Sequence, residues 1–211
     1  MPRPVQVPPP ADRKPTWQPG PRTDRARLRL LVGAREAFLA KGYGGTRISD
    51  ITRAAGMSRA SFYVYFPSKH DVFLTLGTES AAAGARQLRL VRSIPTDWAE
   101  HHLRHWLGEW FDQLDRFGAF DRLWVQEAPD DLRATGLAME RRHARQLGKE
   151  LERLRGRPAG DPTLLGIALS AAVNGLWHHY RRAPDLDGRD AAMDAAVEAT
   201  TLFVAHGDDL R

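Results

Sequence analysis

From Thr23 onward, apolar positions recur at three- and four-residue spacing, and no alternating run of period two exceeds a few residues. That pattern predicts an all-α fold of about nine helices. Thr23 is placed to cap a first helix whose apolar face is Leu28, Leu31, Ala34, Ala37 and Phe38, and which stops at Lys41-Gly42 with the glycine left-handed. A second helix, near 47–55, turns Ile48, Ile51 and Ala55 inward and ends at Gly56. Ser58 then caps a third short helix that runs to about Tyr65, where Pro67 forbids simple continuation. Ser68, followed three residues later by Asp71, starts a long fourth helix to about Arg92.

Beyond Pro95 the pattern predicts helices near 96–117, 119–127, 129–155, 162–182 and 189–206, separated at Gly118, Pro129, Gly156 with Pro158, and Pro184. The first of these carries Leu103, Leu107, Trp110, Leu114 and Phe117 on one stripe, widened by Trp106 and Phe111. The 129–155 helix aligns Leu132, Met139, His143, Leu147, Leu151 and Leu154. The last two helices are apolar or small around much of their circumference, which calls for burial on more than one side. Pairing with a second copy in a four-helix arrangement supplies that cover, since Ala168, Ala171, Ala172, Ala192, Ala195, Ala196 and Ala199 permit close approach. A monomeric bundle with these helices at its centre is the alternative.

Composition refines the picture. The 211 residues are enough for one large or two small domains with a real core. Absence of cysteine removes disulfides, thiolate nucleophiles, cysteine zinc sites and thiol redox sensing. No signal-like or membrane-length apolar run occurs, so a cytoplasmic location is expected. Residues 1–22 hold eight of the fourteen prolines and read as a disordered tail, whose basic residues offer an arm for a minor groove as a less common use. Residues 1–70 contain 13 Lys and Arg against 4 Asp and Glu, whereas the remainder contains 18 against 22. A basic first third on a mildly acidic body suggests an N-terminal module that meets a polyanion, nucleic acid ahead of a membrane surface.

Residues 46–69, TRISDITRAAGMSRASFYVYFPSK, have the grammar of a helix-turn-helix: an inward apolar first helix, alanines at the crossing, a glycine turn and a capped second helix. If Phe62 and Phe66 lock into the core, Arg59, Ser61, Tyr63 and Tyr65 turn outward. Arginine suits a guanine edge or a phosphate, serine suits either, and a rigid tyrosine reaches phosphate at low entropic cost. Thr46 and Arg47 open the preceding helix and Lys69 opens the following one, where helix N-termini already favour anions.

The run GYGGTRISDITRAAGMSRASFYVYFPSKHDVF (42–73) closely resembles the N-terminal signature of the TetR (tetracycline repressor) family of bacterial regulators. The shared features are glycine-threonine before the second helix, Ala-Ala-Gly-x-Ser in the turn, Tyr-x-Tyr-Phe and Pro-Ser-Lys, and the resemblance covers about residues 23–75. It implies a homodimeric transcription factor, most often a repressor, that binds a near-palindromic double-stranded operator and leaves it when a small molecule fills the C-terminal domain. Under that resemblance residues 23–75 form the DNA-binding domain and residues 76–211 the effector-binding and dimerisation domain. Thr46 and Arg47 are then expected at phosphate and base edge, Arg59, Ala60 and Ser61 at bases, and Tyr63, Tyr65 and Lys69 on the backbone. Ser58 counts among the DNA-facing residues. Ala60 stands where relatives often have glycine, which restricts backbone approach while offering a methyl for thymine.

For the effector, Trp106, Trp110, Phe111, Trp124 and Trp177 form an aromatic set that favours a flat or hydrophobic ligand, and His143 is placed to orient a ligand oxygen; core roles are the competing reading for each. His101, His102, His105 and Glu109 include i, i+4 pairs of zinc-like spacing, but no second ligand cluster accompanies them, so no metal and no cofactor are expected. No nucleophile elbow, phosphate loop, zinc-protease or dinucleotide motif is present, so a helical enzyme is the weaker alternative, beside an adaptor that uses the basic module on protein or membrane.

Overall fold

The computed structural model describes residues 21–158, 160–183 and 188–205. Those residues form eight α-helices and no strand: α1 (Pro21–Gly45), α2 (Ile48–Ala55), α3 (Arg59–Tyr65), α4 (Lys69–Ser93), α5 (Glu100–Glu127), α6 (Asp130–Arg155), α7 (Pro162–Arg182) and α8 (Arg189–Val204). The proline-rich segment expected to be disordered, and the break expected at Pro184, lie outside the described residues, apart from the tail's last two positions, which open α1.

The expected all-α class holds, with four corrections. The helices expected at 96–117 and 119–127 are one helix, α5, because Gly118 is buried under the Trp177 ring, where packing compensates its low helix propensity. Helix α1 begins at Pro21, so Thr23 lies in its first turn rather than capping it. At the other end the helical run continues to Gly45 across a kink at Gly42, whose φ of 71° and ψ of 169° are outside the left-handed helical well. Leu28 also faces solvent; Leu30 and Leu31 take the inward positions. Ser58 and Ser68 cap α3 and α4 as expected, each accepting the backbone N–H three residues on.

Two apolar cores result. The first gathers Leu30, Phe38, Ile51, Phe62, Phe66 and Phe73 with Phe120, Leu123 and Leu132. The second gathers Trp106, Trp110, Phe111, Leu147, Leu151, Leu169, Val173 and Trp177 with residues of α8. Helices α4, α5 and α6 pass through both cores. Between them, Arg133–Arg142 of α6 is exposed apart from half-buried Gly136, which is why Met139 points to solvent instead of extending the expected stripe. Helices α6 and α7 pack with backbones touching: a Cβ on Gly166 would lie 1.9 Å from the Ala144 carbonyl oxygen, and one on Gly148 would lie 1.7 Å from that of Pro162.

Candidate nucleic-acid interface

Helices α2 and α3 are joined by Gly56, whose φ of 60° and ψ of 41° turn the chain sharply after Ala55. Arg29 of α1 clamps this turn, its guanidinium donating to the carbonyls of Ala55 at 2.7 Å and Gly56 at 3.1 Å. The turn is thus fixed to the rest of the domain by charge-assisted bonds. Asp50 organises the start of α2: its carboxylate accepts the Arg47 backbone N–H at 2.9 Å and pairs with Lys41 at 2.7 Å and Arg53 at 3.3 Å. Those bonds, led by the one from Lys41, hold the Asp50 carboxyl below the usual carboxylate range.

Helix α3 divides its aromatics between two faces. Phe62 is fully buried and Phe66 nearly so, while Tyr63 is 48% exposed and Val64 is 74% exposed. Arg59 and Ala60 lie on the exposed side with them, and the Arg59 guanidinium donates to the Tyr63 hydroxyl at 3.3 Å. Ser58 is exposed and Ser61 half-buried, with their hydroxyls 2.8 Å apart. Tyr65 is half-buried against the first core, so its ring is partly packing material. Val64 has no counterpart in the sequence reading; its place two positions after Phe62 put it opposite the core and was the available signal.

Two expected backbone contacts have their side chains turned inward. Thr46 is only 2% exposed, and its hydroxyl donates to the carbonyls of Ala37 at 3.0 Å and Gly42 at 2.6 Å. It therefore fastens the kinked end of α1 instead of presenting an oxygen to phosphate. The Lys69 ammonium donates to the carbonyls of Tyr43 at 2.7 Å and Thr46 at 2.9 Å and stands 4.4 Å from the centre of the Tyr43 ring. Burial lowers its pKa. One of its three N–H groups remains for an outside acceptor. Arg47 is exposed, and a shallow concavity of about 380 Å³ is bounded by Arg47, Ser49, Arg59 and Lys69. Three cations around one hollow suit a phosphate.

The residues expected around an effector are divided by the fold. Trp106, Trp110, Phe111 and Trp177 are buried together in the second core, with Trp106 and Trp110 ring centres 5.4 Å apart. Trp124 belongs to the first core instead, stacked on Phe73 at 4.8 Å and wedged against Gly77 and Gly136. His143 is half-buried beside Gly84, and burial lowers its pKa. Among the described residues, no three His, Asp or Glu side chains gather where they could hold a metal ion, and no helix is long and apolar enough to cross a membrane.

The architecture defines a helix-turn-helix module carried on a helical body. Residues 30–76 match the family described as bacterial regulatory proteins, tetR family. The repressor AcnR of Corynebacterium diphtheriae is 28% identical over 182 residues, which span 82% of this chain and 90% of that protein. The regulator YdgC of Bacillus subtilis is 39% identical over 54 residues, 26% of this chain and 28% of that protein, and AcnR of Corynebacterium glutamicum is 35% identical over 34% of its length. For those last two relatives the chain thus spans about a third of their length or less. Among solved structures, the regulator PfmR from Thermus thermophilus superposes with a TM-score of 0.63 at 22% identity, covering 85% of this chain and 98% of PfmR. FadR from Bacillus subtilis, solved with stearoyl-CoA, gives a TM-score of 0.64 at 16% identity, covering 84% and 97%. Residues 30–76, the helix-turn-helix module, thus resemble the tetR family of bacterial regulatory proteins, and the solved structures share the helical fold.

Proposed function

We propose that this protein is a ligand-responsive transcriptional regulator that binds a near-palindromic operator as a homodimer, acts as a repressor, and is released by a small molecule held in its helical body. The observation that carries this reading is the two-faced α3. Its inward face is spent on Phe62 and Phe66, and its outward face exposes Arg59, Ala60, Tyr63 and Val64. In this reading Arg59 contacts a base edge or phosphate, the Ala60 and Val64 side chains meet thymine methyls, and Tyr63 and Arg47 grip the backbone. Lys69 adds its remaining N–H at the hollow near Arg47. The reading is non-catalytic, in keeping with a family of regulators, and a cytoplasmic location follows from a role on DNA.

The dimer is supported by α7 and α8. Leu164, Ile167 and Leu202 are exposed, as are the small residues Ala168, Ala171 and Gly175 on α7. A second copy laid across this face buries it, and two-fold symmetry matches the two half-sites of a palindrome. Release by a ligand rests on the family and on relatives named as repressors.

Fluorescence anisotropy with DNA from upstream of the protein's own gene tests the reading. Tight binding to one palindromic fragment, with log affinity falling steeply against log salt, is expected. Equal affinity for unrelated fragments at every salt concentration contradicts it.

A further inference from the structure

A cleft of about 280 Å³ is cut between α4 and α5, and its lining includes neither an α3 residue nor a tryptophan of the second core. Its charge is one-sided. Arg86 and Arg89 reach it from α4 and Arg116 from α5, and among the described residues none of the three has an acidic partner. Asp112 also lines it, but the Arg189 guanidinium of α8 already holds that carboxylate at 2.5 Å. Glu109 is left as the single acid against three arginines.

The cleft contains a second unmet demand. Gln87 is buried, Gln113 is half-buried, and the amide oxygen of each is shielded from water without a hydrogen-bond partner. Buried amide oxygens without donors are uncommon in folded proteins. The terminal torsion of glutamine is soft, so a small turn presents either amide to the cleft. Guanidinium forks take carboxylate or phosphate oxygens, whereas amide oxygens take O–H or N–H donors. The apolar contribution is small, from Leu90 and Phe117, and the volume falls near the lower end of the roughly 300–1,000 Å³ of small-molecule sites.

We infer that this cleft binds a small hydroxylated organic anion, its carboxylate or phosphate held by Arg86, Arg89 and Arg116 and its hydroxyls by Gln87 and Gln113. As an effector site this rests on the regulator reading above; as a binding site it does not. The cleft also adjoins the DNA-binding module: the Phe117 ring lies 5.8 Å from the guanidinium of Arg35 on α1. A ligand against Phe117 is therefore one side chain from the helix that carries the helix-turn-helix.

The test is isothermal titration of the full chain with four probes: L-tartrate, glycerol 1-phosphate, succinate and threitol. At least one of the first two binds saturably at one site per chain, succinate binds at least fivefold more weakly than tartrate if carboxylate is preferred, and threitol does not bind. Whichever of the first two binds more tightly identifies the anion. R89Q and R116Q each weaken the tighter probe at least tenfold with unchanged melting, Q87L weakens it at least threefold, and the exposed-arginine control R141Q leaves it unchanged. Absence of saturable binding by both hydroxylated anions overturns the site, as does binding that R89Q and R116Q leave intact. Anisotropy with operator DNA separates the two readings. Probe-induced release lost in R116Q supports the effector role, release unchanged in R116Q or no release overturns that role, and failure to bind DNA at all removes the regulator reading while titration still decides the cleft.

Discussion

The two cores share three helices and are built by different means. The first is dominated by aromatic rings meeting edge-on or stacked: Phe73 contacts Phe38 at 5.2 Å, Tyr43 at 4.8 Å, Phe120 at 5.1 Å and Trp124 at 4.8 Å. The second also holds rings, Trp106 against Trp110 and Phe111 stacked on Tyr180, but adds leucines along α6 and glycines that let α6 and α7 meet backbone to backbone. Ring networks around short capped helices fix side-chain direction locally, which is what a recognition surface needs. Long helices in close contact transmit displacement along their length. The boundary expected at 75/76 falls inside α4, and Glu127 at the end of α5 accepts the Tyr43 backbone N–H at 2.7 Å, so the module and the body are joined by shared helices rather than a linker.

The comparison is broken most sharply at Phe62. Phe62→Ala is expected to cost about 3–5 kcal/mol, as a large-to-small change in a tight core, and to abolish cooperative unfolding of the first domain in denaturant titration. Next in size is Gly166→Ala, expected to cost about 1–3 kcal/mol because the added methyl must push α7 off the Ala144 carbonyl. A melt that leaves Gly166→Ala unchanged shows that the α6 and α7 contact is looser than described. Tyr63→Phe is expected to keep stability within about 0.5 kcal/mol while weakening operator binding several-fold, since its hydroxyl is bonded to the exposed Arg59. A large loss of stability assigns the ring to the core.

The smallest effect concerns the seam between the regions. Burial raises the Asp121 carboxyl to about 6, against the opposing pull of the Ser80 hydrogen bond and the Arg35 charge. Because the folded value lies above the unfolded one, the associated stability is fully present below about pH 4 and lost as pH rises through about 6. Asp121→Asn is therefore expected to match the parent near pH 4 and to exceed it in stability at pH 8, measured by denaturant midpoints. A constant difference across that range contradicts the assignment.

The module was legible from sequence because its determinants are local. The Ser58 and Ser68 caps, Gly56 in the turn, and the four-residue interval between Phe62 and Phe66 are all set within a few residues. The inward bonds of Thr46 and Lys69 were not legible because their partners are backbone carbonyls around the Gly42 kink, whose geometry no spacing rule announces. Trp124 escaped for a related reason: which core it joins depends on how far α5 runs past Gly118, and that depends on Trp177 packing over the glycine from 59 positions away. The cleft was invisible for the same cause, its arginines and glutamines being ordinary polar positions until α4 and α5 lie side by side.

The central claim is that the outward face of α3 reads sequence while its inward face only supports the fold. Arg59→Ala tests it most directly, with affinity measured by anisotropy for the selected palindrome and for a scrambled duplex of equal length at matched salt. The account predicts a tenfold to hundredfold loss on the palindrome, about 1–3 kcal/mol, with little change on the scrambled duplex and an unchanged melt. An equal loss on both duplexes, or no loss on either, contradicts it.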